Sequence, residues 1–385
     1  MIRYGQQDIT DEDIESFVSI LRSDFLTQGP AIPNFENEIS NYAGAKYSVA
    51  VNSATSALHI ACLALNLGPG DFLWTSPNSF VASANCGVYC GANVDFVDID
   101  ADTNNMCPIK LHKKLIEAKK VGRLPKIVIP VHLGGHSCDM ERICDLGKEF
   151  GFSIIEDASH AIGATYKDRP VGCCQYSDIA IYSFHPVKII TTGEGGIALT
   201  NNPKLDQKMR LLRSHGITRD PKQMLFIPDG PWYYEQISLG FNYRITDIQA
   251  ALGISQLKRV DSYIQKRRKI VEVYNRAFKN LPLILPSELS YCQSSWHLYI
   301  IRLKLDEIQK TLKEVHEELL NYEIGANLHY IPIHTHPYYQ KRGFKKGDFP
   351  QSERFYSQAI SLPIHPTLKK EEQNKIIAAV KEIIQ

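Results

Sequence analysis

The chain has 385 residues, 44% of them hydrophobic and 22% charged, with a formal net charge of +1. That length buries a sizeable core and accommodates two domains, and the near-zero charge gives no general pull toward nucleic acid or an anionic membrane. No apolar run is long enough to span a bilayer, the first residues lack a signal peptide's apolar core, and nine scattered cysteines are the pattern of a reducing cytoplasm rather than of disulfides or a zinc site.

In chain order, Thr10-Asp11-Glu12-Asp13 caps a short amphipathic helix to Leu21, and Asp24-Phe25-Leu26-Thr27-Gln28-Gly29-Pro30 is an irregular loop. From there strand and helix alternate. Ser48–Val51 reads as a strand and Ala57–Leu65 as a helix apolar all round, hence buried. Between them Asn52-Ser53-Ala54-Thr55-Ser56 leaves free N–H groups at a helix N-terminus, a place for a phosphate; plain N-capping by Ser53 or Thr55 is the simpler reading. Strand 72–74 and helix 81–89 follow, with Phe80 between them, then strand 94–97, helix 109–118, strand 126–131 and helix 140–150.

Two stretches carry chemistry. Phe152-Ser153-Ile154-Ile155-Glu156-Asp157-Ala158-Ser159-His160-Ala161 is an apolar strand ending in acidic residues and then small ones, and ligands of open α/β sheets sit beyond the carboxyl ends of strands. Ile179–Tyr182 is a second buried strand, leading through Ser183-Phe184-His185-Pro186-Val187-Lys188 to Gly193, Gly195 and Gly196, and a third run, 197–200, leaves. Apolar neighbours lower a lysine's pKa, and a neutral amine adds to carbonyl carbon. Taken singly, Asp157 is as good a helix cap and Lys188 as good a hairpin side chain reaching solvent. Together they suit pyridoxal phosphate (PLP), which takes a lysine at its aldehyde and a carboxylate at its ring nitrogen.

Beyond these, residues 203–213 read as a helix and 218–236 as a long loop. A single helix then runs from Ile245 through Lys258-Arg259 and Lys266-Arg267-Arg268-Lys269, this basic run being its solvated face. The remaining expectations are strand 297–303, helix 305–322, a strand and loop at 326–333, and helices 352–360 and 369–384. Domains are expected at 1–250, large and cofactor-binding, and 251–385, a connecting helix with a smaller C-terminal domain.

The segments EDASHAIGATY, SFHPVKIITTGEGG, LRSHGI and GFNYRITDIQAALGISQL, in this order, resemble the DegT/DnrJ/EryC1/StrS sugar aminotransferases. The resemblance implies an α/β fold of the aspartate aminotransferase (type I PLP-dependent) kind, with a mixed, mostly parallel sheet. It implies that Lys188 and Asp157 are catalytic. Cofactor contacts fall on Ala54, Thr55, Phe80, Asp157, His160, Ser183 and Lys188, and on Asn242 from a neighbouring subunit. Substrate contacts fall on Tyr4, Asp24, Phe25, Leu26, Thr27, Ala54, Ser183, His185, Asn242, Asn327, Leu328, His329 and Tyr330. Many members have glutamine where this chain has His160, which leaves the role of that residue open.

Residues 52–100 are most similar to transaminases of the pseudaminic acid pathway, which implies a UDP-linked 4-keto sugar, glutamate as donor and a homodimer with shared active sites. Other members act at C3 or C4 of dTDP-, GDP- or UDP-sugars on the same scaffold. A related 3-dehydratase class replaces the lysine, and Lys188 argues against it; a non-catalytic regulator would carry an added DNA-binding segment or lack the lysine.

Overall fold

The structure is a computed structural model describing residues 1–384. Its centre is a seven-stranded sheet of β1 (Tyr47–Val51), β2 (Phe72–Thr75), β3 (Asn93–Phe96), β4 (Ile127–Ile129), β5 (Ser153–Asp157), β6 (Ile179–Ser183) and β7 (Gly196–Thr200). The order is β1-β7-β6-β5-β4-β2-β3, with β7 antiparallel to both neighbours and the other pairs parallel.

Both faces of the sheet are buried, which is why its strands read as apolar runs rather than alternating ones. On one face Ala50, Trp74, Val128, Ile154, Ala180 and Leu199 share a core with Phe35 and Ile39 of α2 (Ala31–Ala43) and with α5 (Pro108–Lys120) and α6 (Met140–Phe150). On the other, Val49, Val51, Leu73, Ile129, Ile155 and Ile181 pack with α3 (Ala54–Ala64), α4 (Ala82–Tyr89) and α7 (Pro203–Arg213). The helix preceding these is α1 (Asp11–Leu21), capped by Asp13 Oδ2, which accepts from the Thr10 N–H at 3.0 Å.

The long helix expected from Ile245 is two helices. Thr246 and Gln249 cap α8 (Asp247–Leu257), the chain turns at Lys258–Arg259, and α9 (Val260–Phe278) begins. Neither proline nor glycine marks the turn; Arg259 is drawn aside by Asp13, with Nη2 2.5 Å from Oδ2, and by the Tyr263 hydroxyl at 2.8 Å. Nor is the basic run wholly solvated: Arg267 is 1% exposed and belongs to the interior.

Tyr274 and Phe278 of α9 join a third core with β9 (Tyr299–Leu303), α10 (Leu312–Asn321) and α12 (Lys370–Ile384). The sheet here is β8 (Leu283–Ile284), β9 and β10 (Ala359–Leu362), antiparallel and in that order. Two expectations shift. Helix α10 starts at the Thr311–Glu314 capping box rather than at 305, and α11 (Pro350–Tyr356) ends before Ala359–Leu362, which is a strand. Ile2–Arg3 pairs in parallel with Ile324–Gly325, and the 218–236 loop is closed by pairing of Ile217–Thr218 with Glu235–Gln236. Among the described residues no helix is long and apolar enough to cross a membrane.

Candidate active site

A cavity of about 970 Å³ opens beyond the carboxyl ends of β1, β5 and β6. Lys188 lies on the excursion between the adjacent strands β6 and β7, whose register pairs Ser183 with Gly196. The excursion is anchored rather than loose. Ile189 and Ile190 are buried, and the Thr192 N–H and the Thr191 hydroxyl both donate to the Phe184 carbonyl. Lys188 borders the cavity, and its amine has no hydrogen-bond or ion-pair partner among the described residues. Burial pushes that amine down to about 8, against the opposing charge of Asp157.

Asp157 ends β5 in the same cavity, 5% exposed. Its Oδ2 accepts from Ser83 Oγ at 2.6 Å and its Oδ1 from the Ser159 N–H at 3.2 Å. Two donors fix the orientation of this carboxylate.

The N-terminus of α3 has the geometry of an anion cradle. Ser53 accepts from the Ser56 N–H, and Asn52 Oδ1 accepts from Ser56 Oγ at 2.7 Å. Ala54 and Thr55 occupy the first helical positions, whose N–H groups have no intrahelical acceptor. Gly196 packs against them so closely that a Cβ there would sit 2.4 Å from the Ala54 nitrogen. The Ser183 hydroxyl borders the same space, and Phe80, 58% exposed, lends it an aromatic wall.

Three buried imidazoles, besides the exposed His185, complete the lining. His160 Nδ1 accepts from the Gly134 N–H, which leaves Nε2 to donate to the Tyr330 hydroxyl 3.1 Å away. Burial, reinforced by the charge of Lys188, holds this ring well below its ordinary pKa, in agreement with that neutral tautomer. His297 lies 4.4 Å from the His160 ring and is likewise held neutral by burial, with its Nδ1 unpartnered. His329 is pushed down to about 3 by burial and by Lys188, while its Nδ1 meets Ser361 Oγ at 2.8 Å. Tyr4 packs on the His329 ring, and the His329–Tyr330 peptide is cis.

The structure thus brings Tyr4, Ala54, Thr55, Phe80, Asp157, His160, Ser183, His185, Lys188, Asn327, Leu328, His329 and Tyr330 to one cavity. It does not bring Asp24, Phe25, Leu26, Thr27 or Asn242 to the cavity of their own chain. The first four are exposed, because Asp247 at the start of α8 binds the Gly29 and Ala31 N–H groups and donates its own N–H to the Leu26 carbonyl. Asn242 instead bridges to Ser214. Sequence reasoning missed Ser83, Ser159, Glu194, Gln249 and His297, all in the lining. Ser159 follows the end of β5, a legible signal; Ser83 lies inside α4 and His297 is a lone histidine entering a distant strand, and neither carries one.

These residues suit PLP on their own chemistry: unspent N–H donors and a hydroxyl for a phosphate, an open aromatic face for a ring, a doubly held carboxylate, and a partly neutral amine free of partners. Bound there, the cofactor supplies an electron sink for carrying nitrogen between substrates.

Comparison with known proteins agrees. Residues 7–381 match the model of the DegT/DnrJ/EryC1/StrS aminotransferase family. The chain is 39% identical to the spore coat polysaccharide biosynthesis protein SpsC of Bacillus subtilis, over 98% of this chain and 95% of that protein. It is 38% identical to the UDP-4-amino-4,6-dideoxy-N-acetyl-beta-L-altrosamine transaminase of Campylobacter jejuni subsp. jejuni serotype O:23/36, over 95% of this chain and 93% of the other. Among solved structures, the putative sugar aminotransferase Spr1654 from Streptococcus pneumoniae superposes in its PMP-form with a TM-score of 0.90 at 32% identity, covering all of this chain and 99% of that one. Its PLP-form gives 0.88. The chain therefore belongs to the DegT/DnrJ/EryC1/StrS family and is a PLP-dependent sugar aminotransferase.

Proposed function

We propose that the enzyme transfers an amino group from glutamate to C4 of a UDP-4-keto-6-deoxy-N-acetylhexosamine, UDP-2-acetamido-2,6-dideoxy-β-L-arabino-hex-4-ulose, in pseudaminic acid biosynthesis. The observation that carries this reading is the full-length similarity to the Campylobacter jejuni altrosamine transaminase. The similarity to SpsC, equally high, supports a second reading in which another nucleotide keto-sugar is aminated at C3 or C4.

In either case the residues divide the work. Ala54, Thr55 and Ser183 would hold the cofactor phosphate, Phe80 would pack on its ring, and Asp157 would keep a proton on the ring nitrogen. Lys188 Nζ would hold the cofactor through its aldehyde and, once displaced by the donor's amine, would be free to move a proton to and from the reacting sugar carbon. Tyr4, His185, Asn327, Leu328, His329 and Tyr330 face the sugar nucleotide, and neutral His160, donating through Nε2, orients Tyr330.

A second copy of the chain completes the site in this reading. Phe25, Leu26, Phe226, Ile227 and Trp232 are 53, 47, 71, 92 and 69% exposed, large apolar side chains that a partner would cover. Covering it by a homodimer would carry Asp24–Thr27 and Asn242 toward the partner's cavity. The nine unpaired cysteines favour a cytoplasmic setting.

The deciding experiment incubates the PLP-loaded enzyme with glutamate and a panel of UDP- and dTDP-linked keto sugars, identifying products by mass and NMR. The expected product is the 4-amino UDP-sugar. Turnover of 3-keto or dTDP substrates alone would overturn the assignment.

A further inference from the structure

Arg267 is a guanidinium at 1% exposure whose bonds among the described residues all go to main-chain carbonyls, none to a carboxylate. Burial works against its charge, and its Nε has no acceptor. Such a site is costly beside an apolar side chain of the same shape, so what it holds matters. Its Nη1 lies 3.2, 3.1 and 2.9 Å from the carbonyls of Trp296, His297 and Ile364.

Those carbonyls stand where the β9–β10 ladder ends, since the last pair is Tyr299 with Leu362. Beyond it no strand partner remains to satisfy them, and the guanidinium does so from α9. Both segments it ties lead to the cavity. His297 lines it directly, and the Ile364 N–H donates to the carbonyl of Tyr4, which also lines it. Ser361, three residues before Ile364, holds the His329 ring. Ala54, Asp157, Ser183 and Lys188 come from the ends of β1 and β5 and from β6 and the excursion after it, and none of them is hydrogen-bonded to Arg267.

We infer that Arg267 is a positioning residue of the active site, fixing from behind the wall that carries His297 and Tyr4 while leaving the cofactor-facing wall untouched. The guanidinium touches no substrate; it sets where the substrate-facing main chain lies. Loosening one wall of a two-walled site weakens what binds between the walls before it weakens what one wall holds alone.

The test is Arg267→Met and Arg267→Lys in the PLP-loaded enzyme. The measurements are PLP stoichiometry by absorbance, melting temperature, and KM and kcat for the keto-sugar. Arg267→Met is expected to raise KM about tenfold with kcat changed less than about threefold, at full PLP occupancy, as displacement of a substrate-facing wall requires. Arg267→Lys, which returns one cationic donor, is expected to recover part of that loss. A lower melting temperature with KM unchanged, or loss of PLP in step with KM, would overturn the inference. If Arg267→Met does not fold, Arg267→Lys decides alone: a raised KM at full occupancy supports it and a wild-type KM refutes it. The inference rests on the proposed reaction only for its substrate. If the wild-type enzyme fails on the UDP-sugar the function assignment fails, and the same comparison is run on whichever keto-sugar is turned over.

Discussion

Ser83 Oγ donates to Asp157 Oδ2 across 2.6 Å, tying the first turn of α4 to the end of β5. Ser79 Oγ meets Ser83 Oγ at 2.8 Å, so the hydroxyl that holds the carboxylate is itself held. The acid reaches the site pre-oriented by a neighbouring crossover helix, not by its own strand alone.

Ser83→Ala removes one of the two donors to Asp157. A hydrogen bond to a charged group contributes about 1.5–3 kcal/mol, which corresponds to a fall in kcat of roughly tenfold or more. PLP remains bound, because the phosphate cradle and Lys188 are intact. Steady-state kinetics beside the cofactor absorbance checks this; unchanged kcat would show that the Ser159 N–H alone suffices.

Lys188 carries a pH signature. Its amine titrates at about 8 in the folded protein against an ordinary 10.5, so the neutral form needed to add to an aldehyde grows in as pH rises through 8. PLP uptake by the cofactor-free protein should accelerate across that interval and then level off. Stability follows the same sign. Between about 8 and 10.5 the unfolded chain binds more protons than the folded one, so cofactor-free protein gains stability as pH rises through this window. Below 8 the cost of burying the ammonium is present in full. Melting temperatures of wild type and Lys188→Met across this range should converge toward high pH if the lysine is the cause.

Gly196→Ala places a methyl group 2.4 Å from the Ala54 nitrogen and 2.5 Å from the Ser53 carbonyl carbon. Both are main-chain atoms that cannot swing aside, so the start of α3 must move. Overpacking of this kind costs about 1–3 kcal/mol, and here it also displaces the N–H groups of Ala54 and Thr55. Lower thermal stability together with a raised PLP dissociation constant is the expected pair; loss of stability alone would show that the cradle moves as a rigid unit.

Much of the central sheet was legible because its strands are buried on both faces and bounded by polar or glycine-rich turns. Asp157 and Lys188 could be singled out from where they stand relative to apolar runs, before any coordinate placed them together. Arg267 could not. A stripe of apolar residues on a helix implies a polar solvent face, but nothing in the stripe tells which cation will find carbonyls to bind. The turn at Lys258–Arg259 was hidden because it uses no glycine or proline. Ala359-Ile360-Ser361-Leu362 is too short a run to show whether its period is that of strand or helix. The Thr311–Glu314 capping box, by contrast, was there to be read and fixes the true start of α10. His297 reaches the site through the pairing of β9 and β10, a long-range contact that local pattern does not encode.

The pairing of Ser183 with Gly196 closes the base of a loop whose tip bears the reactive amine. Proposed grip and reactivity thereby fall on different parts of one hairpin: the strand ends border the cradle proposed for the phosphate, while the excursion between them presents the amine. Exchanging the tip need not undo the clasp. On such a scaffold an altered chemistry can be tried without first rebuilding the place where the reagent is held.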